Sequence, residues 1–178
     1  TVTALTAELI SFGLIQEVAA NQPSAGRGRP RVDLAVRGAA LRVAGVKLTH
    51  RSASMVILDF AGHEVADFTT ILPHSTAPTS VVVSAIASAV RAGADQAGVG
   101  IDALGLGIQG VVDATRGFVY WSPSLDERNT PLGAMLAEAL SLPVFVDNDA
   151  NLVAMAEKHF GYGRGVSDFI VATIENGV

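Results

Sequence analysis

The sequence predicts an α/β fold, and two observations predict it: the order of its elements and its composition. Three strand-like runs in succession precede alternating helical and strand-like runs, which is typical of a sheet covered by helices. Of the 178 residues, 49% are hydrophobic, which is enough to fill a core. No apolar run reaches the roughly 18 residues of a membrane-spanning helix, so we expect a cytoplasmic protein without a membrane partner. The absence of cysteine excludes a disulfide framework and a cysteine-ligated zinc site within these residues.

The formal net charge of −5 is divided unevenly along the chain. Residues 1–51 carry seven basic and three acidic side chains, and residues 52–178 carry five basic and fourteen acidic ones. This asymmetry predicts a basic amino-terminal module that meets a polyanion, joined to an acidic domain with another task.

The first 38 residues predict a helix followed by two strands. Residues 1–12 place apolar side chains near helical spacing, and Gly13 follows where a positive φ is readily adopted. Two alternating runs, 14–18 and 31–34, flank a polar loop rich in glycine, proline and arginine. Helix, strand, basic loop and strand is the order in the second half of a winged helix-turn-helix.

Later runs predict the sheet and its helices. The predicted strands are residues 41–48, 54–59, 64–72, 103–112, 117–121, 143–146 and 168–173. The predicted helices are residues 79–97, 131–140 and 150–160. Since the chain lacks an initiator methionine and stops just after an apolar run, we expect it to be a piece of a longer protein.

Two groups of residues in the amino-terminal module are candidates for DNA contact. Thr1, Thr3 and Thr6 are short hydrogen-bonding side chains on the first helix, as recognition in a major groove requires. Arg27 and Arg29 lie in an extended Gly-Arg-Gly-Arg-Pro run that fits phosphates or a narrow minor groove. The alternatives are an ordinary amphipathic surface helix and a solvated linker.

Polar residues after an apolar strand indicate a ligand site in the second part of the chain. Asn148 and Asp149 stand where a strand ends and a helix begins, the position at which open α/β sheets bind ligands. A carboxylate there can act as a general base toward a sugar hydroxyl, although Asp149 could also simply cap the helix. Ser124, in a Trp-Ser-Pro-Ser-Leu loop, is a further candidate for sugar binding, and that loop could equally be structural.

Taken together, these segments resemble the ROK family of repressors, open reading frames and kinases. Residues 1–15 and 26–30 are similar to the recognition helix, wing and linker of its repressor branch. Residues 107–113 (Gly-Ile-Gln-Gly-Val-Val-Asp) are similar to its Gly-Ile-Pro-Gly-x-Val-Asp turn, with Gln109 in place of proline. Residues 122–125 resemble its sugar loop, and residues 148–151 (Asn-Asp-Ala-Asn) match its most specific short motif.

The resemblance implies an actin-like, ribonuclease-H-like fold of two lobes. Residues 1–38 would then be the end of a winged helix-turn-helix, residues 39–165 the first lobe, and residues 166–178 the start of the second. It also implies homodimers or homotetramers, double-stranded operator DNA and a sugar or sugar-phosphate effector as partners, although a protein could be the signal instead. No metal or cofactor site is expected in this segment, and the family's structural zinc would lie beyond Val178.

The resemblance implies two opposed activities, and the loop from Lys47 to Arg51 bears on the choice between them. A kinase of this family carries Asp-x-Gly-Gly-Thr there, with glycines for the phosphates and an aspartate for magnesium. This chain has Lys47 in place of the aspartate and no paired glycines. We therefore expect a transcriptional repressor without catalysis, in which Asp149, the catalytic base in the kinases, serves binding. The alternatives are an ATP-dependent sugar kinase and a sugar-binding scaffold without DNA activity.

Overall fold

The computed structural model describes residues 1–19, 32–72 and 77–174. At its amino terminus lie helix α1 (Val2–Ser11) and strands β1 (Ile15–Val18) and β2 (Asp33–Val36), together called the N-terminal unit. β1 and β2 pair antiparallel, from Ile15 opposite Val36 to Val18 opposite Asp33. Gly13 ends the helix with a φ of +71°, as the sequence predicts. The helix–strand–strand order is therefore confirmed, while its interpretation as a winged helix-turn-helix stays a prediction.

The described residues form a central sheet of five strands, whose spatial order starts from residues 64–71 at one edge, continues through 52–59, 42–48 and 103–108, and ends with 144–148 at the other edge. A short 3₁₀ turn, Gly38–Ala40, leads from the N-terminal unit into this sheet. The sheet strands are β3 (Arg42–Leu48), β4 (Ser52–Asp59), β5 (Glu64–Ile71), β6 (Ala103–Ile108) and β9 (Val144–Asn148), and a small ribbon pairs β7 (Val111–Asp113) with β8 (Phe118–Trp121). The first three strands are antiparallel, and β6 and β9 continue from β3 in parallel. This mixed sheet confirms the α/β prediction.

Three helices cover the sheet, two on one face and the third on the opposite face. They are α2 (Thr79–Ala97), α3 (Leu132–Leu140) and α4 (Asp149–Phe160). Successive residues of β3 point to opposite faces of the sheet. Val46 is buried toward α2, whereas Lys47 faces α4. The side chains at the centre of the core are almost wholly excluded from solvent: Leu48, Ile57, Ile86, Leu104, Leu106, Ile108, Leu132 and Leu136. No helix among the described residues is long and apolar enough to cross a membrane.

The structure corrects two of the predicted strands. The strand predicted over residues 103–112 is two strands, since β6 ends at Ile108 and Gly110 turns the chain with a φ of +130°. Residues 168–173 form no strand among the described part of the chain. Their apolar alternation favours an extended backbone, but a strand exists only where a neighbouring strand supplies hydrogen bonds.

A tight turn joins β4 to β5 and is organised by Asp59. One oxygen of its carboxylate accepts the backbone N–H groups of Ala61 and His63, both at 2.9 Å, and the other lies 3.3 Å from Nδ1 of His63. The backbone hydrogen bond from His63 is the main cause that holds the pKa of Asp59 below its ordinary value. The Asp59 carboxyl group therefore loses its proton more readily in the folded turn than in the unfolded chain.

This lowered pKa predicts how the turn responds to acid. Because the folded pKa lies below the unfolded one, the stabilisation by Asp59 is present above the unfolded pKa, about 4, and is lost as the pH falls through the folded pKa. We expect the turn to loosen first below about pH 4, while the core of the sheet is still folded. NMR titration of the Asp59 carboxyl carbon measures the folded pKa, and the exchange rates of the Ala61 and His63 amides measure the loosening of the turn. A midpoint at or above that of a free aspartate would contradict the prediction.

Candidate functional site

The candidate site lies at the edge of the sheet where the parallel strands end. The hydrogen-bonded register aligns Lys47 of β3, Gly107 of β6 and Asp147 of β9 in one row across the sheet. One position further, Ile108 pairs with Asn148, after which α4 begins at once. The strand-end position expected for the 148–151 motif is therefore confirmed.

Asn148 holds this edge together through both ends of its amide group. Its Oδ1 accepts the backbone N–H groups of Ala150 at 2.9 Å and Asn151 at 3.3 Å, so Asn148 is the N-cap of α4. Its Nδ2 donates to the carbonyl oxygen of Gly110 at 2.9 Å. The cap of the helix is thus Asn148, and Asp149 is its first residue.

Gly110 joins this edge to the loop that follows β8. A Cβ at Gly110 would overlap the carbonyl oxygen of Trp121 and lie 2.9 Å from the Cα of Ser122. Its φ of +130° is open to glycine but strained for other residues. Only glycine fits here, because the backbones meet too closely for a side chain.

The loop with the candidate residue Ser124 is buried on one side. Ser122 and Ser124 are 2% and 4% exposed, and the Ser122 hydroxyl oxygen accepts the N–H of Ser124 at 3.1 Å. The Ser124 hydroxyl has no hydrogen-bond partner within the described part of the chain. A buried hydroxyl without a partner is unfavourable, so Ser124 retains an unsatisfied capacity for a hydrogen bond.

The hairpin loop between β3 and β4 contacts the same loop. Nδ1 of His50 lies 3.2 Å from the carbonyl oxygen of Pro123. Within the hairpin loop, the Thr49 hydroxyl donates to the carbonyl oxygen of Ser52 at 3.0 Å. The segment that would carry the phosphate loop of a kinase is therefore a short closed hairpin packed beside Ser124.

The carboxylates of Asp147 and Asp149 are differently engaged. Oδ1 of Asp147 accepts from the backbone N–H of Asn148 at 2.6 Å and from Nδ2 of Asn151 at 3.1 Å. Oδ1 of Asp149 accepts a local bond, from the N–H of Ala150 at 3.0 Å. Asp147 therefore supports the motif internally, whereas Asp149 lines a cleft.

Asp149 opens onto a cleft between α4 and the sheet. The cleft has a volume of about 230 Å³, and its lining combines one cation and one carboxylate with small and apolar groups: Lys47, Gly107, Asp149, Leu152, Val153, Ala156 and Thr173. A Cβ at Gly107 would lie 3.0 Å from Cδ1 of Leu152, so the lack of a side chain lets α4 approach β6 closely. Lys47 and Asp149 thus line the same cleft.

This arrangement does not fit a magnesium–nucleotide complex. An ammonium group stands on β3 where the resemblance asks for a metal-binding carboxylate, and like charges repel. Across the described ranges, no three acidic, histidine or cysteine side chains lie together in one group.

The candidate DNA-contacting residues are only partly described. Thr1, which precedes α1 as its N-cap, and Thr3 on α1 are exposed, whereas the half-buried Thr6 donates its hydroxyl proton to the carbonyl oxygen of Val2 at 2.9 Å. Arg27 and Arg29 lie outside the described residues. Their role in DNA binding stays a prediction.

Sequence reasoning named Asn148, Asp149 and Ser124 but missed the residues that join them. Gly110 links Asn148 to the loop after β8, and His50 links the hairpin to Pro123. The only sequence signal for Gly110 is its place in the quoted turn motif. No signal marks His50, because the contact spans 73 residues of chain.

Comparison with curated proteins finds both repressors and kinases. The chain is 31% identical over 182 residues to the xylose repressor of Caldicellulosiruptor bescii, covering all of this chain and 45% of that protein. It is 37% identical over 110 residues to a glucokinase of Streptomyces coelicolor, covering 61% of this chain and 35% of the kinase. The chain thus spans less than half the length of these relatives.

Comparison with solved structures gives the same two groups. A ROK family transcriptional regulator, a homologue of the Escherichia coli MLC protein, superposes with a TM-score of 0.73, covering 91% of this chain and 41% of that one at 24% identity. At this identity the match shows the fold alone. A ROK glucokinase of Streptomyces griseus, solved with glucose and AMPPNP, superposes with a TM-score of 0.61 at 31% identity, covering 70% of this chain and 38% of the kinase.

The chain also matches the family model of the ROK family. Its match extends over residues 43–178, from the second residue of β3 to the end of the chain. The central sheet, the strand-end motif and these matches agree on the actin-like, sugar-kinase-like fold. The chain belongs to the ROK family.

Proposed function

We propose that this chain is part of a DNA-binding transcriptional repressor whose kinase-like lobe senses a sugar and does not phosphorylate it. The observation that carries the proposal is Lys47, which lines the same cleft as Asp149. A cation here opposes the binding of magnesium, on which the positioning of phosphates in a kinase depends. The site therefore favours a sugar sensor over a phosphoryl-transfer enzyme.

Three groups at the edge of the sheet are suited to sugar hydroxyls. Asp149 retains an oxygen without a described protein donor, and the buried Ser124 hydroxyl has no partner within the described part of the chain. Asn148 uses Oδ1 for the cap and one N–H for Gly110, which leaves its second N–H as a donor. A neutral polyol satisfies these acceptors and donors without adding charge.

The N-terminal unit supplies the DNA-binding half of the proposal. Its helix presents Thr1 and Thr3 to solvent, and two paired strands follow it as in a winged module. The basic residues of the first 51 positions favour contact with phosphates. The xylose repressor of Caldicellulosiruptor bescii aligns with the whole of this chain, N-terminal unit included. Paired modules of a homodimer or homotetramer would read two half-sites.

A sugar kinase is the second candidate, because Asp149 is retained and the glucokinase of Streptomyces coelicolor is 37% identical over 110 residues. On that hypothesis Asp149 accepts the proton of a sugar hydroxyl during phosphoryl transfer. The two functions differ in one measurable property, the consumption of ATP.

The full-length protein is expected to bind a sugar and, with it, to change its affinity for DNA without releasing ADP. Glucose, xylose, N-acetylglucosamine and the 6-phosphates of glucose and N-acetylglucosamine form the test panel. Calorimetry measures sugar binding, a coupled assay measures ADP, and anisotropy measures affinity for operator DNA selected from a random pool. Asp149→Ala should abolish sugar binding, whereas Asp95→Ala, an exposed change on α2, should not.

Replacing Arg27 and Arg29 by alanine checks the DNA half of the same prediction. If both contact phosphates, the double variant reduces the slope of log affinity against log salt by about 2, at roughly 0.9 for each contact. Sugar-dependent ADP release that disappears in Asp149→Asn would instead establish the kinase. If the protein binds sugar but selects no DNA from the pool, and the salt slope is unchanged in the double variant, the result would support a sugar-binding scaffold without DNA activity.

A further inference from the structure

Residues 37–40, here called the joint, connect the N-terminal unit to the central sheet and form hydrogen bonds on both sides. On one side, the backbone N–H of Arg37 donates to the carbonyl oxygen of Leu14 at 2.9 Å, just before β1. On the other side, the N–H of Phe60 in the β4–β5 turn donates to the carbonyl oxygen of Gly38 at 3.0 Å. The two parts of the chain are thus joined by a bonded segment.

Gly38 lies close against Asp59, the last residue of β4. A Cβ on Gly38 would overlap the carboxylate of Asp59. That carboxylate has little freedom to move aside, since it accepts the N–H groups of Ala61 and His63 and lies beside the His63 ring. The fixed position of the Asp59 carboxylate therefore requires that residue 38 has no side chain.

The β3–β4 hairpin connects this joint to the candidate sugar site. At one end Arg42 pairs with Asp59, and at the other, six residues later, Leu48 pairs with Ala53. At roughly 3.3 Å per residue the hairpin spans about 20 Å. Its far loop holds His50 against the carbonyl oxygen of Pro123, next to Ser124. One continuous ladder of hydrogen bonds thus touches the joint and the sugar loop.

We propose that Gly38 and Asp59 are positioning residues that fix the N-terminal unit on the β3–β4 hairpin, and that this hairpin couples the sugar site to the DNA-binding unit. The inference rests on the proposed function for the identity of the two ligands. Coupling between sites is a free energy that the intervening structure transmits, and it requires both ends to be held. A loosened joint leaves each ligand bound but removes the effect of one on the other.

The first test measures whether the joint is held, and it needs no ligand. Ser11→Cys on α1 and Asp95→Cys on α2 place two spin labels at defined positions of this 178-residue chain, which contains no other cysteine. Double electron–electron resonance then gives the distribution of distances between α1 and the lobe. We expect a narrow distribution in the otherwise unchanged protein and a broader one in Gly38→Ala and Asp59→Ala.

Two control variants separate the joint from general damage. Gly100→Ala adds the same methyl group at a glycine with no heavy atom within 4 Å, and should leave the distribution narrow. Asp59→Asn keeps an oxygen for the two backbone donors and should restore most of the narrowness lost in Asp59→Ala. If Gly38→Ala and Asp59→Ala give the unchanged distribution while their melting curves show folded protein, the positioning role is rejected.

The second test measures coupling in the same variants. With whichever sugar of the panel binds by calorimetry, Gly38→Ala should keep the sugar affinity and the sugar-free DNA affinity of the unchanged protein. The factor by which sugar alters DNA affinity, typically about 5- to 150-fold in allosteric proteins, should fall toward one. A coupling factor that persists in Gly38→Ala overturns the transmission through the joint. If no sugar binds, the sensor in the proposed function fails, and the distance distributions still decide the positioning role.

Discussion

Replacing Gly110 with alanine is expected to destabilise the chain by about 2 to 6 kcal/mol. A methyl group there overlaps the carbonyl oxygen of Trp121 and crowds Ser122, and overpacking of this kind costs about 1 to 3 kcal/mol. The φ of +130° adds strain of about 1 to 3 kcal/mol for a residue with a Cβ. Since whole domains are stable by only about 5 to 15 kcal/mol, the variant loses a large share of its stability.

Urea unfolding at equal m-values measures the change in the free energy of unfolding. Gly100→Ala is the matched control, because it adds the same methyl group where no heavy atom lies within 4 Å. The expected loss also has a functional side, since moving Gly110 removes the acceptor that holds the Nδ2 of Asn148. A loss of stability no greater than that of Gly100→Ala would show that the turn relaxes freely and would contradict the interpretation.

Replacing Asn148 with alanine is expected to cost about 2 kcal/mol and to abolish sugar binding. The change removes the cap of α4, which is typically worth about 1 kcal/mol, and leaves the carbonyl oxygen of Gly110 without its donor, which costs about 1 kcal/mol more. Sugar binding depends on the same residue, because Asn148 fixes both Asp149 on α4 and the turn at Gly110. Urea unfolding and calorimetry with the sugar panel measure the two effects.

Asn148→Asp separates the two roles of this side chain. An aspartate keeps an oxygen for the N–H groups of Ala150 and Asn151 and is favourable at a helix N-terminus, but it cannot donate to Gly110. We therefore expect a smaller loss of stability than in Asn148→Ala, with the same loss of sugar binding. Asn151→Ala, which removes one exposed bond to Asp147, is the control for a local effect. Equal stability of both Asn148 variants would show that the cap contributes little.

Elements with a strong local pattern were predictable from the sequence. The predicted helix 79–97 coincides with α2, because its apolar residues Val82, Ile86 and Val90 recur at helical spacing and are buried. The three strands after the N-terminal unit form the predicted meander, since tight turns bring neighbouring strands together. The strands at 103–112 and 168–173 were wrong for a shared reason: backbone pairing, which depends on distant residues, decides where a strand ends or whether it forms.

The motif of the candidate site was also readable from the sequence, but its internal contacts were not. The run around Asn148 and Asp149 indicated a ligand site, and the structure places it at the predicted edge of the sheet. The sequence left open whether Asp149 caps the helix, and the structure gives that role to Asn148. The choice depends on backbone angles at the junction of β9 and α4, which side-chain identity alone does not specify.

The sequence by itself determined the chemical character of this protein: the basic amino terminus, the Asn-Asp-Ala-Asn motif and a lysine where a kinase of this family carries a metal-binding carboxylate. These properties belong to individual side chains and need no fold to be recognised. The tertiary structure alone decided that Lys47 shares a cleft with Asp149, that Gly110 joins Asn148 to the loop after β8, and that Gly38 meets Asp59. These contacts join residues that are distant in the chain, and only the register of the sheet and the close approach of backbones bring them together.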